Sequence, residues 1–149
     1  MKVEHRLPSI EVTQKLIISG RLTGRNEAER AARAHWSKGA KLKSDETIRV
    51  QQEILVQRIK PVLYGKAEVT VTFFEPDGRR DADNVLGGLK YIMDGLVKMR
   101  IIIDDGPKYV DLITLPVKID RKNPRIEVQI KGQIEDCSQM QNFHREIRK

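Results

Sequence analysis

Residues 67–74 alternate: Ala67, Val69, Val71 and Phe73 point one way, Glu68, Thr70, Thr72 and Phe74 the other. A period of two marks a strand with one apolar face. The pattern returns near the end of the chain, where Ile126, Val128 and Ile130 alternate with Glu127, Gln129 and Lys131. Between these strands, Leu86, Leu89, Met93 and Leu96 recur at helical spacing, which predicts a helix over 85–99. Strands and helices each with one apolar face must bury those faces against one another. The expectation is an α+β fold, a small mixed β-sheet packed with two main helices.

The remaining elements follow the same logic. Leu16-Ile17-Ile18 predicts a first strand over 12–19. A long polar stretch over 20–43 carries Arg21, Arg25, Arg30, Arg33, Lys38, Lys41 and Lys43. It reads as a basic loop, with a short helix over 26–35 capped by Asn26. Ser44 then reads as an N-cap, with Asp45 and Glu46 in the first turn and Pro61 closing the helix near residue 60. Ile48, Leu55 and Ile59 are its expected apolar face. Gly87 and Gly88 each weaken a helix by roughly 1 kcal/mol relative to alanine, so the second helix is expected to begin after them. Strands over 110–119 and 125–131 flank a turn over 120–124, and Pro116 marks an edge or a bulge. Residues 1–132 thus form one domain, and 133–149 a polar tail.

A chain of 149 residues can bury a core without disulfides or metal staples. Its formal charge is +7, which attracts polyanions, nucleic acid foremost. No apolar run is long enough to span a membrane, and the first residues contain no hydrophobic signal region, so a cytoplasmic setting is expected. The single cysteine, Cys137, cannot form an intramolecular disulfide and reads as a plain thiol. His5 and His144 lie near the ends and read as non-catalytic. There is no serine or cysteine nucleophile arrangement and no glycine-rich phosphate loop.

The most informative segment is Arg79-Arg80-Asp81-Ala82-Asp83-Asn84. On extended chain, Asp81 and Asp83 leave the same face about 7 Å apart. Two such carboxylates repel unless a cation sits between them, and magnesium favours one or two carboxylates plus phosphate and water. A bare Asp-x-Asp is nonetheless more often a solvated turn that caps a helix, and Asn84 reads either as that cap or as an extra oxygen donor. Asp104-Asp105 follows Ile101-Ile102-Ile103, where a buried segment emerges, and the predicted helix can bring this second pair towards the first. Lys90 and Asp94 are four residues apart on one helix face, which fits equally a surface ion pair and a lysine aimed at a scissile phosphate. His35 and Trp36 lie in the basic stretch. An aromatic there either stacks on unpaired bases or anchors the loop to the domain, and anchoring is the reading favoured.

These residues, in this order, resemble the signature of the RusA family of Holliday-junction resolvases. The match runs through Arg80-Asp81-Ala82-Asp83-Asn84, then Lys90, then Asp94-Gly95-Leu96, then Asp104-Asp105, and covers roughly residues 12–130. The resemblance implies that Asp81, Asp83 and Asp105 are catalytic, metal-binding carboxylates. It implies Lys90 as the catalytic or phosphate-contacting lysine, with Asp94 and Asp104 in supporting positions. It also implies magnesium or manganese, a homodimer, and a four-way DNA junction cut by two symmetric nicks in recombination and repair. Small resolvases of this kind are often carried by phages or prophages. Arg79, Arg80, Lys41, Lys43, Lys108 and Lys118 are candidates for holding the DNA backbone, and the bland reading of each is solubility. The chain departs from the family in three places. Residues 84–90 are a few positions longer, residues 105–108 slightly longer, and Arg100 stands where a helix-ending glycine is common. A residue other than glycine there needs another way to end the helix or a strained left-handed backbone.

Three other functions share parts of this pattern. One is a nuclease of the same chemistry acting on flaps or forks. Another is a junction-DNA-binding protein without catalysis. The third is a basic nucleic-acid or ribosome-associated module whose acids only cap helices.

Overall fold

The computed structural model describes residues 8–136. Its elements are β1 (Ser9–Ser19), α1 (Arg25–Ala34), α2 (Trp36–Val56), β2 (Tyr64–Glu75), α3 (Ala82–Leu86), α4 (Leu89–Lys98), β3 (Val110–Thr114), β4 (Lys118–Ile119) and β5 (Arg125–Glu135). The sheet runs β1-β5-β2-β3, and β4 also pairs with β2. β5 is antiparallel to both β1 and β2, whereas β3 and β4 run parallel to β2, so the sheet is mixed. The α+β expectation is met.

Register shows why the alternation matters. Leu16 faces Val128, which faces Val71, and Ile18 faces Ile126, which faces Phe73. All six are buried, and they form one apolar face with Val69 and Ile130. Val50 and Ile54 of α2 and Ile92 and Leu96 of α4 join the same core. The opposite face is largely polar, with Lys15 on β1 paired to Glu127 on β5 at 2.8 Å. α2 and α4 approach closely because Gly95 has no side chain: a Cβ there would stand 2.7 Å from Val50 Cγ1.

The stretch read as a basic loop over 20–43 is mostly helix. α1 occupies part of it, and α2 begins at Trp36, well before Ser44. Ser44 is therefore mid-helix, and His35 is the N-cap, its Nδ1 accepting from Ser37 N at 3.1 Å. The corner holds because a Cβ on Gly39 would stand 3.0 Å from Ala32, so a glycine lets the two helices meet. The apolar face of α2 also differs from expectation. Thr47, Val50 and Ile54 are buried, whereas Ile48 and Leu55 are exposed and only Ile59 packs on the core. Ile48 and Leu55 are larger and more apolar on paper, yet the helix turns by what α4 can accept.

Elsewhere the differences are smaller. The strand over 110–119 is interrupted at Leu115, Pro116 and Val117, where proline removes a ladder donor. β5 continues past Gly132 to Glu135, into the stretch read as a tail; Gly132 packs against Val62. His5, Cys137 and His144 lie outside the described residues. No helix among the described residues is long and apolar enough to cross a membrane.

Arg100 takes the left-handed option, with φ of 55°, just after α4. Its N–H reaches Val97 O at 3.0 Å and that of Ile101 reaches Leu96 O at 2.9 Å, satisfying carbonyls at the helix end. A left-handed residue with a Cβ is strained by roughly 1 kcal/mol. Arg100→Gly is expected to raise the unfolding free energy by about that amount in a urea titration. No change, or a loss, would show that the arginine side chain offsets the strain.

The sheet also has an acid-sensitive contact. The Lys15 ammonium, and after it the Arg125 guanidinium, hold the Glu127 carboxyl below its ordinary value of 4.5. A lowered folded-state pKa contributes stability above the unfolded value, and that stability is lost as pH falls through the folded value. Glu127→Gln is therefore expected to destabilise near neutral pH and to match the parent in strong acid. Thermal melts across pH test this, and a difference that persists into strong acid would assign the effect to packing.

Candidate nucleic-acid processing site

Asp81 and Asp83 follow the carboxyl end of β2, after the short turn over 76–80. Asp81 is at the N-cap position of α3, and its carbonyl accepts from Val85 N at 3.1 Å. Its carboxylate makes no capping hydrogen bond. Asp83 lies in the first turn, and both residues are exposed. Among the described residues neither carboxylate has a cationic partner, although two arginines precede them in sequence.

The reason is where those arginines go. Arg80 turns inward: its Nη2 meets Glu75 Oε1 at 2.5 Å and its Nη1 donates to Leu22 O at 3.1 Å. Glu27 approaches the same guanidinium at 3.5 Å, and Arg21 clamps Glu75 from its other side at 2.8 Å. Glu75 is 3% exposed. Arg80, expected as a DNA contact, is thus engaged in an internal ion-pair cluster, with 11% of its side chain exposed. Arg79 is the opposite case, with 90% of its side chain exposed and a loose contact to Asp77 at 3.7 Å.

Asn84 does not cap its own helix. It is buried, and its Oδ1 accepts from Asn26 N at 2.9 Å, satisfying a free donor in the first turn of α1. Two glycines allow this contact. A Cβ on Gly24 would stand 2.4 Å from Asn84 Oδ1, and one on Gly87 would stand 2.6 Å from Arg25 N. Gly87 and Gly88 both keep helical backbone angles, so α3 runs almost directly into α4. This stretch therefore seats the start of α1. Tyr91 is enclosed nearby; burial, and then the charges of Glu46 and Glu27, push its phenol up, so it stays neutral.

A second group forms on α4. The Asp94 carboxylate meets Lys90 at 3.6 Å on its own helix and Lys43 from α2 at 3.5 Å. Asp94, Lys43, Asp104 and Asp105 line a surface depression of about 260 Å³ together with Val97 and Lys98. Asp104 Oδ1 accepts from Asp105 N at 2.8 Å, which leaves the Asp105 carboxylate exposed. Lys90 is exposed, and counting along the helix it stands between Asp83 and Asp94. Lys43, expected only as a backbone contact, proves to share Asp94 with Lys90.

Asp105 does not join Asp81 and Asp83 in one preformed cage. Among the described residues no three His, Cys, Asp or Glu side chains stand together as a metal-holding set. Asp83 lies within α3 rather than on extended chain, so the strand face that Asp81 and Asp83 were expected to share does not form. What remains are two carboxylates without a cationic partner among the described residues, hard oxygen donors of the kind magnesium binds when phosphate and water complete its shell. The donor chemistry of Asp81 and Asp83 fits that mode of binding.

Of the other cations, Lys41 is exposed and reaches Asp45 at 3.7 Å. Lys108 lies over the Tyr109 ring at 5.4 Å, and Lys118 over Phe74 at 5.7 Å. All three remain on the surface.

No protein-family model matches the sequence, and none of the curated proteins compared with it is similar.

Proposed function

We propose that this chain is a magnesium- or manganese-dependent endonuclease of branched DNA. In this reading it acts as a homodimer that resolves four-way junctions by paired symmetric nicks in recombination and repair, as its resemblance to the RusA family implies. The observation that carries the reading is that Asp81 and Asp83 are exposed and have no cationic partner among the described residues, in a chain of charge +7.

Asp81 and Asp83 would hold the ion, which when bound supplies Lewis acidity and an acidified water. The chain's own residues do the rest. Lys90 and Lys43 both rest on Asp94, at contacts longer than a tight ion pair, so an entering phosphate can compete for their ammonium groups. Asp105, the third carboxylate of the resemblance, lines the Lys43 depression, and in this reading it would orient water there. Arg79, Lys41, Lys108 and Lys118 supply backbone contacts, which give affinity that falls with salt and reads no sequence.

The test compares a four-way junction, a fork, a flap and a linear duplex in magnesium. Symmetric nicks confined to the junction are expected. Equal cutting of forks and flaps would broaden the substrate class, and tight binding without cutting would make the chain a binding protein.

A further inference from the structure

Trp36 is the only tryptophan in the chain. Its expected role as an anchor fails, because it is 77% exposed. An indole normally hides a large apolar area, and tryptophan left in the open is enriched where a partner covers it. Among the described residues its one ring contact is His35, with centroids 5.6 Å apart. The corner that presents it is tightly packed through Gly39 and Ala32, and His35 caps the helix that Trp36 begins. Folding the indole inward would require that corner to open.

The surroundings are basic. Arg33 and Lys41 make only loose contacts, at 3.9 Å to Glu29 and 3.7 Å to Asp45. Arg30 and Lys38 have no ion-pair partner among the described residues. Seven residues along α2 is almost two full turns, so Trp36 and Lys43 share a face, about 10 Å apart along the axis. Lys43 reaches the depression that holds Asp94 and Asp105. An aromatic plate beside unpaired cations, in line with an ammonium group, matches a single nucleic-acid strand: bases have faces to stack and phosphates to pair.

We propose that Trp36 is a stacking platform for an unpaired base, with the strand running from it along α2 towards Lys43. The proposal rests on the reading of this chain as a DNA-processing protein and adds the element that tells unpaired from paired bases. A duplex keeps its bases stacked on one another and would use only the phosphate contacts.

Because Trp36 is the sole tryptophan, its fluorescence reports on it directly. The full chain is titrated with an oligothymidine strand, a paired duplex of equal length and a four-way junction. Affinities of the wild type, Trp36→Ala and Trp36→Phe are read from labelled DNA. Quenching is expected with the single strand and not with the duplex. Trp36→Ala should bind the single strand about tenfold more weakly, Trp36→Phe should recover most of that loss, and duplex affinity should not change. Unchanged fluorescence on a strand that does bind, or equal affinity for Trp36→Ala, would overturn the platform and leave the DNA reading standing. No binding of any DNA by the wild type would overturn both. A fluorescence change that follows protein concentration alone, with self-association lost in Trp36→Ala, would identify a second copy as the partner and overturn the platform.

Discussion

Asp83→Asn is expected to fold, to bind a four-way junction with undiminished affinity, and to lose cutting by well over a hundredfold. The argument begins with what the carboxylate does not do. It is exposed and pairs with no cation among the described residues, so amide replacement costs no more than its favourable place in the first turn of α3, about 0.3–1 kcal/mol. Removing one negative charge from a protein that binds a polyanion cannot weaken encounter with DNA. Catalysis is another matter. Groups that merely orient a metal's ligands cost about 10- to 100-fold when lost, so loss of a direct ligand should exceed that range. Asp81→Asn should behave alike. Asp104→Asn gives the contrast, because its carboxylate holds the Asp105 backbone, and a partial loss is expected there. Gel shifts, melts and single-turnover cutting on the same preparations separate these outcomes. An Asp83→Asn destabilised beyond that cost would return the aspartate to a structural role.

Arg80→Leu is expected to lower the unfolding free energy by about 3 kcal/mol, measured by denaturant titration, whether or not DNA is present. Arg80 and Arg21 together hold a buried carboxylate, and removing one partner of a buried pair typically costs about 3–5 kcal/mol. The lower end applies because Arg21 remains. The loss has a second part, since Leu22 O and the Glu27 contact at the start of α1 are released with it. Replacing both Glu75 and Arg80 by leucine should destabilise less than Arg80→Leu alone, because the buried carboxylate, held by Arg21 alone after the single change, is then removed. An exposed DNA contact would behave differently: stability would be untouched and affinity would fall with a shallower salt dependence. That result would restore the sequence-based role of Arg80.

The contrast between Arg79 and Arg80 shows where sequence reading stops. The two are identical neighbours in a basic chain, and nothing local distinguishes them. What separates them is Glu75, a buried carboxylate at the end of the strand's apolar face, which draws one arginine inward. A glutamate closing an apolar alternation is a usable signal of a buried carboxylate. The sheet itself was legible because period two survives any context, as in Ala67 to Phe73 and Ile126 to Ile130. α2 was not, because Ser44-Asp45-Glu46 is a good local start and tertiary packing overrode it. Gly39 looked like a loop residue, yet it is what lets α1 and α2 meet. The second helix was read correctly around Leu89, Met93 and Leu96. Gly87 and Gly88 did mark a break there, though their backbone stays helical because α1 needs the space. Asp81 and Asp83 were singled out by their spacing, and the structure adds that their carboxylates are unengaged. The partnership of Lys43 with Asp94 was not readable, since it joins residues of two helices far apart in the chain.

The most direct measurement is single-turnover cutting of a synthetic four-way junction by the unaltered protein, with magnesium and with a chelator in its place. Paired nicks related by two-fold symmetry, present with magnesium and absent with the chelator, are predicted. Nicks that persist in the chelator, or tight junction binding that never leads to a cut in magnesium, would contradict the assignment of Asp81 and Asp83 to metal-dependent phosphodiester hydrolysis.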